Sequence, residues 1–253
     1  DTKILDDFSP DYVFLTKSAT NLNFNAINPI ITMPNGEPWD VETWMADLND
    51  DPEITALFWE ITSALLRPNV NWKKAIFPMS QTGNNGKGTL IIMWKALLGH
   101  DACCTLSISQ FSKDFMTESL IGVNAVLTDE NPVSVYLDDV SVFKSVVTGD
   151  SILINRKFLP AVTYNFHGLV VECLNGLPRV KDTSESFLRR LLLIPMAKCF
   201  TRIEISEIKE DYLKRQEVLE YVMKKALVDT NFYSLSEPKS CAKAVSEYRE
   251  FND

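Results

Sequence analysis

Lys87 lies in the run Gln81-Thr82-Gly83-Asn84-Asn85-Gly86-Lys87-Gly88-Thr89, the stretch of this sequence with the clearest chemistry. Three glycines free the backbone to curl, so that successive N–H groups face one point. A helix beginning behind them adds partial positive charge. A lysine at that place supplies a full charge for the β- and γ-phosphates of a nucleotide. The strict pattern G-x-x-x-x-G-K-[ST] is not met. Gln81 stands where the first glycine belongs and Gly88 where the hydroxyl residue belongs, with Thr89 one step later. An ordinary Gly/Asn turn between a strand and a helix has the same composition.

Two further runs add polar groups at the ends of apolar strands. Residues 122–128 read as a short buried strand that ends in Asp129 and Glu130. In α/β sheets ligands bind at the carboxyl ends of the strands, where Asp129 would hold Mg²⁺ and Glu130 would orient and deprotonate an attacking water. Two acids in a surface loop are the plainer reading of the same residues. Residues 169–174 read as another strand and end in Asn175, whose amide can hydrogen-bond a γ-phosphate or the attacking water. Arg189 and Arg190 precede the apolar run Leu191–Pro195. Such a pair is either a solvated surface feature or the place of an arginine finger reaching a neighbour's nucleotide.

The elements that must carry these residues follow from periodicity. Residues 75–79 form an apolar run before the glycine loop, and 89–98 suit a helix after it. From Asn71 to about Phe200 apolar strands alternate with helical patterns, the signature of an α/β core. In the preceding segment Ile54, Leu57, Phe58, Ile61 and Leu65 fall at helical spacing behind Asp51-Pro52-Glu53, a good helix start. Residues 33–38 form a turn cluster. After Thr201 the stripe Ile208, Tyr212, Leu219, Met223 and Ala226/Leu227 reads as helix, broken at Ser236-Glu237-Pro238. We therefore expect a helical segment over 1–70, a core over 71–200 and a helical segment over 201–253.

The ordered set of a glycine loop with Asn85-Gly86-Lys87, Asp129-Glu130 after a strand, Asn175-x-x-Pro178, and Arg189-Arg190 before an apolar run ending Ile194-Pro195 resembles superfamily 3 helicases. The resemblance is to the primase-helicase type of phages, plasmids and genomic islands. Gly83, Asn85, Gly86, Lys87 and Thr89 match that family's loop G-x-G-x-N-G-K-[SG]-[ST], and Gln81 departs from it. Trp39, Val147-Thr148-Gly149-Asp150 and Asn252-Asp253 extend the likeness over most of the chain.

The resemblance implies an AAA+ P-loop ATPase core, a three-layer α/β/α arrangement with a mostly parallel sheet. It implies ATP and Mg²⁺ as cofactors, bound by Gly83, Asn84, Asn85, Gly86, Lys87, Gly88 and Thr89, with Asp129 and Thr89 toward the metal. Glu130 becomes the general base, Asn175 the γ-phosphate sensor, and Arg190, with Arg189, the finger in trans. Six subunits would close a ring on single-stranded or forked DNA, and host replication proteins are possible partners. The segment 151–160 would be a pore-facing β-hairpin, with Arg156, Lys157, His167 and Lys144 as DNA contacts. Phe158, Tyr164 and Phe166 could stack on bases, although core packing is the simpler expectation for at least two of them. A small-molecule phosphotransferase and a non-catalytic origin-binding module remain the alternatives.

Composition is ordinary for a soluble globular protein, with 45% of residues hydrophobic and 23% charged, and the expected location is the cytoplasm. No apolar run is long enough to cross a membrane. The chain opens at Asp1 without Met or a signal-like segment, and is expected to be a fragment of a longer protein that could carry a primase or winged-helix domain. The net charge of −9 is uneven. Residues 1–70 carry twelve acids and three bases, whereas 141–190 carry seven bases and four acids, so a DNA contact would be local to the latter. Five cysteines without a Cys-x-x-Cys pair, and two histidines, argue against structural zinc. They read as reduced thiols, with Cys173 and Cys199 in or near the core.

Overall fold

A computed structural model of the protein describes residues 16–132, 135–201 and 204–252. Residues 1–15 of the expected amino-terminal segment, and Asp253 at the far end of the family likeness, lie outside them. The amino-terminal part holds a small hairpin, β1 (Ile31–Thr32) and β2 (Pro38–Trp39), closed by the expected turn, then helices α1 (Val41–Asp47) and α2 (Pro52–Leu65). Asp40 caps α1 by accepting the N–H groups of Glu42 and Thr43, and Asp51 caps α2 by accepting that of Glu53. All five residues of the expected α2 stripe are buried.

The apolar runs then condense into strands. In chain order these are β3 (Ala75–Met79), β4 (Cys103–Cys104), β5 (Ala125–Thr128), β6 (Tyr136–Leu137), β7 (Ser151–Arg156), β8 (Leu159–Asn165), β9 (Leu169–Glu172), β10 (Arg179–Val180) and β11 (Leu191–Pro195). Helix α3 (Lys87–Leu98) follows β3, α4 (Ser141–Thr148) precedes β7, and the short α5 (Glu185–Leu188) precedes β11. Five strands form one parallel sheet in the order β11-β3-β9-β5-β4. Its inner strands are buried on both faces, which is why they read as unbroken apolar runs.

Apolar layers cover both faces of this sheet, so the fold is α/β in three layers. On one face Trp94 and Leu97 of α3 pack with Leu57 and Phe58 of α2 and with Val218 and Val222 further along the chain. Residues from 1–70, 71–200 and 201–253 thus share one core layer. On the other face Phe143 of α4 centres an aromatic group with Phe77, Phe111 and Phe187, at centroid distances of 6.2, 5.5 and 6.2 Å.

The carboxyl-terminal stripe is not one helix. It is divided into α6 (Ser206–Glu210), a short 3-10 turn at Tyr212–Lys214, and α7 (Gln216–Lys224), which widens into a π turn at Lys225–Asp229. Arg215 takes an extended conformation (φ −67°, ψ 137°) while its guanidinium pairs with Asp211 at 2.5 Å, and these breaks let Tyr212 and Leu213 turn into the core. Helix α8 (Lys239–Asn252) returns to the sheet, where Tyr248 donates from its hydroxyl to the Pro178 carbonyl.

Strands β7 and β8 stand apart as an antiparallel hairpin. Ile152 and Ile154 face inward and Leu153 outward, and the tip carries Lys157 and Phe158, the latter at φ +63° and 94% exposed. Phe166 is buried and Tyr164 half-buried against the core, so of the three aromatics Phe158 alone stands free. The hairpin joins β9 through Phe166, His167 and Gly168. A Cβ on Gly168 would lie 2.2 Å from the carbonyl oxygen of Asn124, so the joint is packed backbone to backbone. No helix among the described residues is long and apolar enough to cross a membrane.

Candidate functional site

Parallel pairing brings the carboxyl ends of the strands to one edge. There β9 lies between β3 and β5, so the turn after β9 sits between the turns after the other two. Hydrogen bonds fix the offset: Ser80 N–H donates to Leu174 O (3.1 Å), Leu174 N–H to Pro78 O (2.9 Å), and Cys173 N–H to Thr128 O (2.8 Å). Asn175 is therefore placed between the glycine loop and Asp129-Glu130, and it, Asp129 and Glu130 are all solvent-exposed.

The loop itself turns through Asn84 and Gly86, both at positive φ (53° and 83°), and α3 starts at Lys87. Lys87 is only 6% exposed, and its ammonium donates to Asn85 Oδ1 at 2.8 Å. Asn85 in turn donates to the Thr82 carbonyl. Burial pushes the Lys87 pKa below its ordinary value, while the negative charge of Asp129 acts the other way. Gly88 explains its own identity: a Cβ there would lie 2.8 and 2.9 Å from the two carboxylate oxygens of Asp129. Asp129 thus occupies the space where a side chain at position 88 would begin, with Thr89 half-buried one residue on.

A segment that sequence reasoning missed braces the loop from the far side. Phe200 N–H donates to the Asn84 carbonyl (2.7 Å), and the Asn84 amide donates to Glu204 (2.6 Å). Cys199 is exposed here, not in the core, with its Sγ 3.5 Å from the Gly83 carbonyl oxygen. The thiol leaves the core because the chain runs off the end of β11 and across the loop. All five cysteines are free, and among the described residues no cluster of three metal-binding side chains forms.

Arg189 and Arg190 do not join this group. They precede β11 and sit at the opposite, amino edge of the sheet, where the Arg190 carbonyl accepts the N–H of Ala75 at the start of β3 (2.8 Å). The five residues of β3, at about 3.3 Å each, put roughly 16 Å between that point and the glycine loop. Arg190 Nη1 donates to the Ser186 carbonyl, and its Nε is buried without a partner. Burial first, then adjacent Arg189, push its pKa below the ordinary arginine value. Both arginines line a cleft of about 700 Å³ with Lys73, Lys74 and Arg249. Lys74 pairs with Glu237 (2.8 Å) and Arg249 with Glu185 (2.9 Å). The lysines carried no signal in the sequence, being two bases in a polar linker.

The four candidate DNA contacts do not form one patch. Arg156 and Lys157 meet at the hairpin tip, where Arg156 Nε donates to the Pro160 carbonyl and Lys157 lies 5.3 Å from the Phe158 ring centroid. His167 lies past the base of the hairpin, exposed. Lys144, on α4, is held by Asp182 at 2.6 Å and half-buried, so its charge is already answered.

Comparison with known proteins agrees with this architecture. Residues 79–190 match the model of a family described as a family of unknown function, DUF5906, a span running from the end of β3 to Arg190. No curated protein matches the chain. Two solved structures of the NrS-1 C-terminal region, both apo, align with TM-scores of 0.62 and 0.59 at 16% identity. Each alignment covers 96% of this chain and 60% of the other, so the chain spans less than two thirds of the length of those chains, and at this identity the likeness concerns the fold. A structure of JCV helicase bound to a small molecule aligns at 14% identity over 83% of this chain and 58% of that one, with a TM-score of 0.44, too low to build on. The fold is that of an α/β P-loop core.

Proposed function

We propose that the chain is the motor unit of an ATP-driven DNA helicase of the superfamily 3 type, acting as a ring of six in a phage, plasmid or genomic island. The observation that carries this reading is the division of candidate residues between opposite edges of one sheet. Lys87, Asp129, Glu130 and Asn175 gather at the carboxyl edge, while Arg189 and Arg190 lie roughly 16 Å away at the amino edge, with Lys73 and Lys74. Such arginines cannot answer charge on a nucleotide held by their own subunit. A second copy, seated with its amino edge against the first copy's loop, supplies them.

In this reading the loop amides and Lys87 bind the phosphates, and Asn85 keeps the Lys87 ammonium aimed into the loop. Asp129, with Thr89, would hold Mg²⁺, which neutralises phosphate charge when bound; the close approach of the Asp129 carboxylate to Gly88 fits that assignment. Glu130 takes the proton of the attacking water, and Asn175 orients that water or the γ-phosphate. Arg190 of the neighbouring copy, with Arg189, stabilises the charge that develops in the transition state. The exposed tip residues Arg156, Lys157 and Phe158 are the DNA contact, the bases pairing with phosphates and the ring stacking. The amino-terminal segment 1–70, whose described part carries α1 and α2, would serve ring assembly beside the core of 71–200, with 201–253 as a helical carboxyl-terminal segment. Buried Lys87 and the Gly88–Asp129 contact disfavour a decayed site, because both departures from the strict loop pattern have places in a formed one.

Mixing two inactive proteins tests the shared site. Lys87→Ala and Arg190→Ala should each lack turnover, and rings containing both should recover it, at interfaces that join an intact loop to an intact arginine. Mixed rings, verified by native mass measurement, that stay inactive would refute the reading in trans. A monomer that turns over ATP would favour the small-molecule phosphotransferase instead.

A further inference from the structure

Glu172 is the one carboxylate among the described residues with no exposed surface, and the reading above gives it no part. It ends β9, opposite Thr128 of β5, three residues before Asn175. Its Oε2 accepts the N–H of Ile108 at 2.9 Å, whereas its Oε1 is buried without a partner. Beside the carboxyl lies the side chain of Asn131, the residue that follows Glu130. The Asn131 amide donates from Nδ2 to the Cys173 carbonyl at 3.0 Å, and its Oδ1 is also buried without a partner. Two orphaned oxygens in one dry place are costly as acceptors. An ionised carboxylate only accepts, but a carboxylic acid carries a donor that answers both oxygens at once.

We propose that Glu172 is a neutral positioning acid whose Oε1–H donates to Asn131 Oδ1, and that this bond holds the Asp129–Asn131 turn at a fixed offset from Asn175. The inference rests on the hydrolytic reading of that edge. One side chain then ties three segments together: the end of β9, the turn after β5, and the turn at Ile108. The surroundings suit a neutral group. Burial pushes its pKa up to about 8, opposed by the Ile108 N–H and by an N–H of Asn131 wherever one turns to the carboxyl. That amide donates to the Cys173 carbonyl, so its oxygen is what is left for Glu172, and a bond to it favours the neutral acid. The groups facing it are the Ile108 N–H, Asn131 and the Thr128 hydroxyl, which donates to the Leu106 carbonyl. The Cys173 thiol, next along the chain, belongs to the core layer on the sheet's other face and is pushed up to about 12 by burial. The charges of Asp129 and Lys87 bear on the Cys173 thiol.

The test uses the whole protein and Glu172→Gln, because glutamine keeps both bonds, accepting from Ile108 and donating to Asn131. Turnover of ATP by this variant should stay within about twofold of the parent at pH 7. Parent turnover should fall about tenfold per unit above pH about 8 with nucleotide affinity unchanged, and the variant should lack that alkaline limb. Glu172→Leu, which fills the space without a donor, should lose about tenfold in turnover and little in nucleotide affinity. A tenfold loss in Glu172→Gln at pH 7, or an alkaline limb retained by it, overturns the proposal. A parent protein without any ATP turnover sinks the hydrolytic reading alone. The ¹³C carboxyl resonance of Glu172, assigned by its absence from Glu172→Gln, then decides. Titration near pH 8 supports a neutral acid, and titration in the ordinary carboxylate range overturns it.

Discussion

Replacing Gly88 by serine restores the hydroxyl residue of the strict loop pattern, and the structure predicts that the restoration does harm. The new Cβ would stand 2.8 Å from an Asp129 oxygen, against an ordinary contact no shorter than 3.4 Å, a shortfall of 0.6 Å. Asp129 is exposed and yields, so the fold absorbs the change. Exchanging glycine for serine in the first turn of α3 returns roughly 0.5 kcal/mol of helix propensity. Net stability should move by less than about 1 kcal/mol. The cost falls on the metal, because a ligand distance tolerates only about 0.2 Å of error and Mg²⁺ insists on its geometry. A loss of about 10- to 100-fold in Mg²⁺ affinity follows, worth about 1.4 to 2.7 kcal/mol. Thermal melting gives the first quantity and the Mg²⁺ dependence of ATP turnover the second. Gly88→Ala should behave alike, as the clash belongs to the Cβ. A serine variant that binds Mg²⁺ as tightly as the parent, or more tightly, would show that the Asp129–Gly88 contact has no bearing on the metal.

Lys87→Ala should abolish most nucleotide binding, whereas Glu130→Gln should bind normally and lose about 10²- to 10⁴-fold in turnover; parent-like hydrolysis by the latter removes Glu130 as the base. Arg156→Ala with Lys157→Ala should weaken single-strand binding more than basal hydrolysis and reduce the salt slope by about 1.4, for two phosphate contacts on single strands. An unchanged slope would clear the hairpin tip of that role. Stability should also carry the signature of Glu172. Its pKa is raised on folding from 4.5 to about 8, so the folded state holds the extra proton and this contribution is lost as pH rises through that range. Between pH 6 and 8 the parent should lose about 2 kcal/mol relative to Glu172→Gln, read from denaturant titrations at each pH.

The parts of the fold legible in the sequence are those whose cause is local. Strands β3, β5, β9 and β11 are buried on both faces, so their burial is written as apolar runs, and α2 shows both its cap at Asp51 and its stripe. The glycine loop and the acids after β5 were legible because turn chemistry and strand ends leave marks within a few residues. Strand order leaves no such mark. That β9 inserts between β3 and β5, and so sets Asn175 beside the loop, emerges only from pairing across distant segments. The same holds for Lys144, whose partner Asp182 is 38 residues away, and for Cys199, drawn across the loop at Gly83. Glu172 was hidden for a related reason: read along the chain it is one acid in an apolar strand, and its orphaned oxygen appears only with Asn131 in place. The single carboxyl-terminal stripe misled because Arg215 turns extended to pair with Asp211 while the apolar spacing carries on past the break.

Gly168 has a mechanical consequence. The chain from the hairpin to Asn175 is a short strut: three residues of joint, four of β9, and two more to the amide. It is held sideways by hydrogen-bonded neighbours on both flanks, and sliding by one residue would move every side chain, Glu172 included, to the opposite face of the sheet. At the hairpin end the backbone already touches that of Asn124, which leaves no play to take up a push. A linkage of this kind has no lost motion. If the tip bears on DNA and Asn175 on a phosphate, the two ends travel together, and the stroke is set by how far one subunit rotates against the next, with none of it absorbed by a bending loop. Gly168→Ala would then be a test of gearing: it pries the joint open at its narrowest point, and should uncouple the rate of hydrolysis from the presence of DNA before it harms either alone.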